Sequence, residues 1–212
     1  MPRPPPVAAR AARGRFTPSG GPPNVRGMDR LEPSSTLLLV IDLQERLAPA
    51  IEARAFERTL KATDLLLSAA ELLGVRVVAT EQYPKGLGPT VPSILGPLEK
   101  ARAERVEKTA FSALDAPRVA AIVGEVAPRA VVVVGVEAHV CVYQTVRDLR
   151  ARGLQVHVPH DGVGSRREED RMAALGLYER LGAFVSTSES VVFDWLRKAE
   201  GEAFKALSKK MR

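Results

Sequence analysis

The sequence contains one cysteine, Cys141, and only three histidines among its 212 residues. A single cysteine excludes an intramolecular disulfide and a zinc site built on cysteines, and three histidines argue against a metal centre built on histidine. No apolar run approaches the ~20 residues that cross a bilayer, so we expect no membrane partner. We expect a reducing, cytoplasmic compartment for a chain of this kind.

Positive charge is concentrated at the N-terminus. Residues 1–30 carry six arginines against one aspartate and so contribute five of the net six positive charges. The remainder is close to neutral, so the net charge does not indicate a nucleic-acid partner. Residues 1–27 hold seven of the sixteen prolines, which predicts a disordered basic tail over residues 1–30, with Met28 as an alternative start. A nucleic-acid-binding arm is the competing interpretation.

Short apolar runs alternate with helical patterns over residues 31–200. The runs typical of strands are 36–41, 75–80, 105–107, 131–134, 154–158 and 183–185. The helical patterns are 54–73, 115–126, 138–152, 167–181 and a final one that starts at 188. This alternation predicts one α/β domain, a parallel sheet with helices on both faces. The lysine-rich end, residues 201–212, is expected to be a solvated basic tail.

Three chemically active side chains follow predicted strands: Asp42, Lys108 and Cys141. The carboxyl ends of parallel strands meet at one edge of a sheet, where ligands bind. There a carboxylate can act as base, while an ammonium and a helix N-terminus lower the pKa of a thiol. Such a set suits attack on an amide-like carbonyl through a thioester, with the backbone N–H groups of Glu137 and Cys141 as an oxyanion hole.

Each of these side chains also has an ordinary structural role open to it. Asp42 could cap the following segment, Lys108 could be a solvated charge, and Cys141 could be a small packing residue. The stretch Gly86–Gly88 follows a strand but lacks the third glycine that opens a helix, so no nucleotide cofactor is indicated.

Three segments of the chain resemble the isochorismatase-like cysteine hydrolase superfamily: Leu39–Gln44, Lys108–Ala113 and Gly135–Val142. They occur in the family order of Asp, Lys and Cys, and the resemblance covers roughly residues 34–197. The loop 80–90 resembles the branch called isochorismatase domain-containing proteins.

This resemblance implies a three-layer α/β/α, Rossmann-like fold with a six-stranded parallel sheet of order 3-2-1-4-5-6. It also implies a catalytic triad of Asp42, Lys108 and Cys141, a cis peptide at Val136–Glu137 that turns the Glu137 N–H toward an oxyanion, and a homo-oligomer. Nicotinamidases of this superfamily carry an Asp/His metal set after the second strand. The loop 81–90 has no histidine, so we expect neither a metal nor a cofactor.

The function expected from these features is metal-independent cysteine hydrolysis of a small amide-like or acyl substrate. One alternative is a catalytically idle scaffold or partner-binding protein with the same fold. Another is an isochorismatase-type vinyl ether hydrolase, although that reaction generally does not rely on a cysteine nucleophile. The side chains expected to bind substrate, each of which could instead pack the core, are Gln44, Leu47, Tyr83 and Phe111, together with Glu137.

Overall fold

A seven-stranded parallel sheet forms the centre of the protein, in a computed structural model that describes residues 29–211. Its strands are β1 (Thr36–Ile41), β2 (Arg76–Gln82), β3 (Glu104–Lys108), β4 (Ala130–Val136), β5 (Gln155–Pro159), β6 (Val163–Gly164) and β7 (Phe184–Ser186). The strand order is β3-β2-β1-β4-β5-β7, and the short β6 pairs with β4. The predicted order is therefore confirmed, with β7 as the predicted sixth strand and β6 as an addition.

Helices cover both faces of the sheet, as predicted. They are α1 (Ala53–Leu73), α2 (Pro84–Leu87), α3 (Pro92–Lys100), α4 (Pro117–Val126), α5 (Tyr143–Ala151), α6 (Glu168–Arg180), α7 (Ser188–Leu196) and α8 (Gly201–Lys210). One apolar layer joins the sheet to α1, α3, α7 and α8, and the other joins it to α4, α5 and α6. None of these helices is both long enough and apolar enough to span a bilayer, within the described part of the chain.

The two central strands are buried along their whole length, which explains their unbroken apolar runs. In β1, Leu38 and Val40 point into one layer, whereas Leu39 and Ile41 point into the other. A strand buried on both faces needs apolar side chains at every position.

The segment after residue 200 is not the solvated tail that its lysines predict. It forms α8, in which Leu207 is 1% exposed and Met211 packs beside it against the core. Lys210 Nζ lies 2.6 Å from Asp64 of α1. Leu207 and Met211 are four residues apart, so both fall on one helix face, and that spacing outweighs the charged composition.

Two other regions differ from the sequence pattern. The loop 81–90 contains α2, and α3 follows it. Both helices begin with a proline, which suits a first helical position. In α6 the inward face is formed by Arg171, Ala174 and Tyr178, whereas the apolar Met172 is exposed. The predicted tail up to residue 28, including Met28, lies outside the described residues.

Candidate active site

Asp42 lies directly after β1, at the level where β1, β2 and β4 end together. Ile41 is in register with Thr80 of β2 and Gly135 of β4. Asp42 is fully buried and adopts a left-handed backbone conformation, with φ of 51°. Its carboxylate accepts hydrogen bonds from Thr80 Oγ1 and from Lys108 Nζ, each at 2.7 Å. Both oxygens are therefore engaged inside the sheet edge, and Asp42 is not a helix cap.

Lys108 is the last residue of β3, and its side chain is fully buried. Besides Asp42, its ammonium donates to Gln82 Oε1 at 2.6 Å and reaches the carbonyl oxygens of Ala110 and Phe111 at 3.3 Å. A buried ammonium is tolerated only when it is paired and hydrogen-bonded in this way. Lys108 is therefore not a solvated surface charge.

Gln82 is a partner of Lys108 that the sequence reasoning missed. The two residues are directly opposite in the register of β2 and β3. Gln82 could have been predicted from its spacing. It lies two residues beyond Thr80 in β2, so both side chains are on one face of that strand, near the sheet edge where Asp42 lies.

Cys141 lies in a π-helical turn, Ala138–Val142, that leads into α5. Gly135, with φ of 121°, lets β4 pass β1 closely, because a Cβ there would lie 2.0 Å from the Ile41 carbonyl oxygen. The Cys141 thiol lies close enough to Asp42 and Lys108 for both charges to affect its pKa. The structure thus brings together the three side chains that the sequence singles out.

The ionisation of this thiol differs from the prediction. Burial, followed by the negative charge of Asp42, raises the pKa of Cys141 from 9.0 to about 12. Lys108 acts in the opposite direction, but its charge is already offset by Asp42 at 2.7 Å. The expectation of a lowered thiol pKa is therefore wrong for the free protein, in which the thiol is protonated at neutral pH.

We expect iodoacetamide to alkylate Cys141 slowly at pH 8. A pKa of about 12 instead of 9.0 leaves a thiolate fraction roughly 1000-fold smaller. The rate of alkylation, followed by mass spectrometry, checks this prediction. Labelling as fast as that of a cysteine in a short peptide would contradict it.

The same shift makes the stability of the protein depend on pH. Below pH 9 the neutral buried thiol contributes fully to the free energy of unfolding, and that contribution falls as the pH rises from 9.0 towards 12.

The peptide bond Val136–Glu137 is cis, as the resemblance implies. It joins the end of β4 to the turn that carries Cys141. The Glu137 side chain is largely buried and bonded to Arg166. It is therefore engaged within the protein, and its predicted substrate contact remains a prediction.

Two of the predicted substrate-binding side chains have structural roles. Gln44 is fully buried; its amide donates to the carbonyls of Gln82 and Gly88 and accepts from the Gln82 N–H. Its hydrogen-bonding groups thus hold the segment after β2, and it is not free to bind substrate. Leu47 is partly buried against the core, which is its alternative packing role.

Tyr83 and Phe111 are exposed aromatic residues whose backbones contact Lys108. The Tyr83 N–H donates to the Lys108 carbonyl at 2.8 Å, and the Phe111 carbonyl faces the Lys108 ammonium. Tyr83 lines a cleft of about 460 Å³ beside Lys108. Phe111, Asp42 and Cys141 do not line this cleft, and the substrate contacts of Tyr83 and Phe111 remain predictions.

A larger cleft, of about 660 Å³, lies between α1, the end of β5 and α7, and its lining includes Arg58, His160 and Lys210. Asp42, Lys108 and Cys141 do not line it. The size of a cleft therefore does not identify the candidate active site. We assign that site from the buried charges of Asp42 and Lys108. Within residues 29–211, no three His, Cys, Asp or Glu side chains come together as metal ligands.

The chain is similar to known proteins over most of its length. The isochorismatase domain family matches residues 36–190. Isochorismatase domain-containing protein 2A of Mus musculus is 38% identical over 182 residues, covering 86% of this chain and 85% of that protein. Isochorismatase domain-containing protein 1 of Salmo salar is 39% identical over 193 residues, covering 91% of this chain but 66% of that protein. A solved structure described as MAR1 ribonuclease from Caenorhabditis elegans has a TM-score of 0.78 at 36% identity, over 86% of this chain and 92% of that one.

Proposed function

Because the chain belongs to the isochorismatase family, in the branch of the isochorismatase domain-containing proteins, we propose that it is a cysteine hydrolase. Its substrate class is a small amide-like or acyl compound, and it needs no metal. The observation that carries the proposal is the buried pair of Asp42 and Lys108, 2.7 Å apart, beside the thiol of Cys141.

The first step is attack by Cys141 Sγ on the substrate carbonyl carbon. The proton of the thiol passes to the Asp42 carboxylate as the C–S bond forms. Once Asp42 is neutral, the positive charge of Lys108 is no longer offset and stabilises the negative charge that moves from sulfur to the carbonyl oxygen. A thiol that is protonated at rest therefore becomes nucleophilic only as its proton leaves for Asp42.

The tetrahedral intermediate then collapses, which completes acylation, and deacylation follows. The C–N bond of an amide breaks, the leaving amine takes the proton from Asp42, and a thioester remains on Cys141. Water then attacks the thioester carbonyl while Asp42 accepts its proton. The C–S bond breaks, the sulfur takes that proton back from Asp42, and the carboxylic acid and the free thiol are released. The backbone N–H groups of Glu137 and Cys141 are proposed to stabilise the oxyanion in both halves.

An idle scaffold and an isochorismatase-type vinyl ether hydrolase are the alternatives that a test must separate. One structural relative is described as a ribonuclease, so RNA belongs in the same substrate panel. The proposed nucleophile is nearly buried, with Cys141 8% exposed. Such a site favours a small substrate over a polymer.

Cys141→Ser is expected to abolish hydrolysis of any amide or ester that the wild-type protein cleaves, because a serine hydroxyl ionises far less readily than a thiol. Hydrolysis is followed as amine, ammonia or alcohol released from a panel of small amides and esters, with a vinyl ether and an RNA alongside. Unchanged melting temperature shows that the variant is folded. Equal turnover by Cys141→Ser, or cleavage confined to the vinyl ether or the RNA, would overturn the proposal.

A further inference from the structure

The turn that leads to Cys141 is held from one side by residues that follow β6. The carboxylate of Glu137 accepts hydrogen bonds from the backbone N–H of Arg166 at 3.1 Å and from Arg166 Nε at 2.9 Å. Glu137 has a largely buried side chain, while that of Arg166 is 59% exposed. A carboxylate at the start of the turn is thus neutralised from the solvent side.

The next two residues of the turn are held as well. The Ala138 carbonyl accepts a 2.6 Å hydrogen bond from the hydroxyl of Tyr178, which is fully buried. His139 Nδ1 lies 3.0 Å from Ser165 Oγ, and His139 Nε2 lies 3.9 Å from Asp170. Three consecutive residues, 137 to 139, are therefore each tied to the segment 165–178.

We propose that Ser165, Arg166 and Tyr178 form a clamp that positions the backbone N–H groups of Glu137 and Cys141 for an oxyanion. This inference rests on the proposed acyl transfer. The clamp residues act as positioning residues, because they contact the turn and not the reacting atoms.

Two reactions of the Cys141 thiol distinguish the positioning of the two backbone N–H donors from a change in the reactivity of the thiol itself. Acylation by p-nitrophenyl acetate passes through a tetrahedral oxyanion: the C–S bond forms, the C–O bond breaks, nitrophenolate leaves and the thiol proton goes to Asp42. Alkylation by iodoacetamide displaces iodide at a saturated carbon and develops no oxyanion. Loss of the clamp should therefore slow acylation and leave alkylation unchanged.

Arg166→Ala is the primary variant, and Arg167→Ala is its matched control. Arg167 is the next residue, also exposed and of the same charge, and it makes no bond to Glu137. We expect Arg166→Ala to reduce the acylation rate roughly tenfold to a hundredfold, the scale of a small misplacement of reacting groups. The alkylation rate of Arg166→Ala should stay within about twofold of the wild-type rate. Both rates of Arg167→Ala should also stay within about twofold of wild type. The Arg166 side chain is largely exposed, so water can take its place beside the Glu137 carboxylate and the melting temperature should change little.

A double-variant cycle tests whether the effect runs through Glu137. In a Glu137→Gln background the ion pair with Arg166 is already lost, so Arg166→Ala should lose most of its effect on acylation. Three results would overturn the clamp and leave the proposed hydrolase intact. They are equal acylation rates in Arg166→Ala and wild type, a parallel fall in the alkylation rate, and full additivity of Arg166→Ala with Glu137→Gln. Absence of acylation at Cys141 in the wild type would overturn both.

Discussion

Replacing Lys108 with methionine is expected to lower the free energy of unfolding by about 3–5 kcal/mol, the usual cost of removing one partner of a buried ion pair. The side chain of Lys108 and that of Asp42 are both fully buried, with 2.7 Å between Nζ and Oδ2. Without the ammonium, the Asp42 carboxylate keeps one side-chain hydrogen bond, from Thr80. Its remaining charge is then uncompensated in a site that excludes water. Urea denaturation measures the change.

Two further variants make this result specific. Lys198→Met removes the same charge from a side chain that is 75% exposed, and it should change the free energy of unfolding by less than about 1 kcal/mol. Adding Asp42→Asn to Lys108→Met should recover much of the loss, because removing both charges leaves no unpaired ion. A loss for Lys108→Met no larger than that for Lys198→Met would contradict the buried pair.

Asp42→Asn is expected to change the two reactions of Cys141 in opposite directions. Hydrolysis should fall by about 10²–10⁴-fold, since an amide cannot accept the thiol proton. Alkylation by iodoacetamide should become faster at pH 8. The charge of Asp42 raises the thiol pKa and Lys108 lowers it, so removing the carboxylate leaves the lowering effect unopposed.

The two rates should be measured on one preparation, hydrolysis by product release and alkylation by mass. Asp161→Asn is the matched control. Asp161 also lies shortly after a strand, β5, but its carboxylate accepts hydrogen bonds from Ser188 of α7. It should move neither rate by more than about twofold, provided the variant remains folded. If Asp42→Asn slowed both reactions equally, Asp42 would be a support for the fold and not the base.

The sheet could be predicted from the sequence because its central strands carry an unambiguous pattern. The six residues of β1 and the seven of β4 are all buried, which allows apolar side chains throughout. The position of the site followed from topology: in a parallel sheet, residues that end neighbouring strands share an edge. Asp42 and Lys108, 66 residues apart in sequence, meet there.

The properties that depend on side-chain packing could not be predicted in this way. The direction of the Cys141 pKa shift depends on burial and on the pairing of Lys108 with Asp42, and neither is encoded in residue order. Gln44 was predicted to bind substrate, whereas its amide is hydrogen-bonded to Gln82 and Gly88. For α8, the helical spacing of Leu207 and Met211 was present but was outweighed in the prediction by the four basic residues of the segment 201–212.

The measurement that tests the central claim most directly is the mass of the protein trapped during turnover. A cleaved amide or ester is mixed with wild-type protein, quenched in acid, and the modified peptide is located. We expect one acyl group on Cys141, released by hydroxylamine as a thioester is, and no such group in Asp42→Asn. Turnover without an acyl group on Cys141, or an acyl group on another residue, would contradict the account.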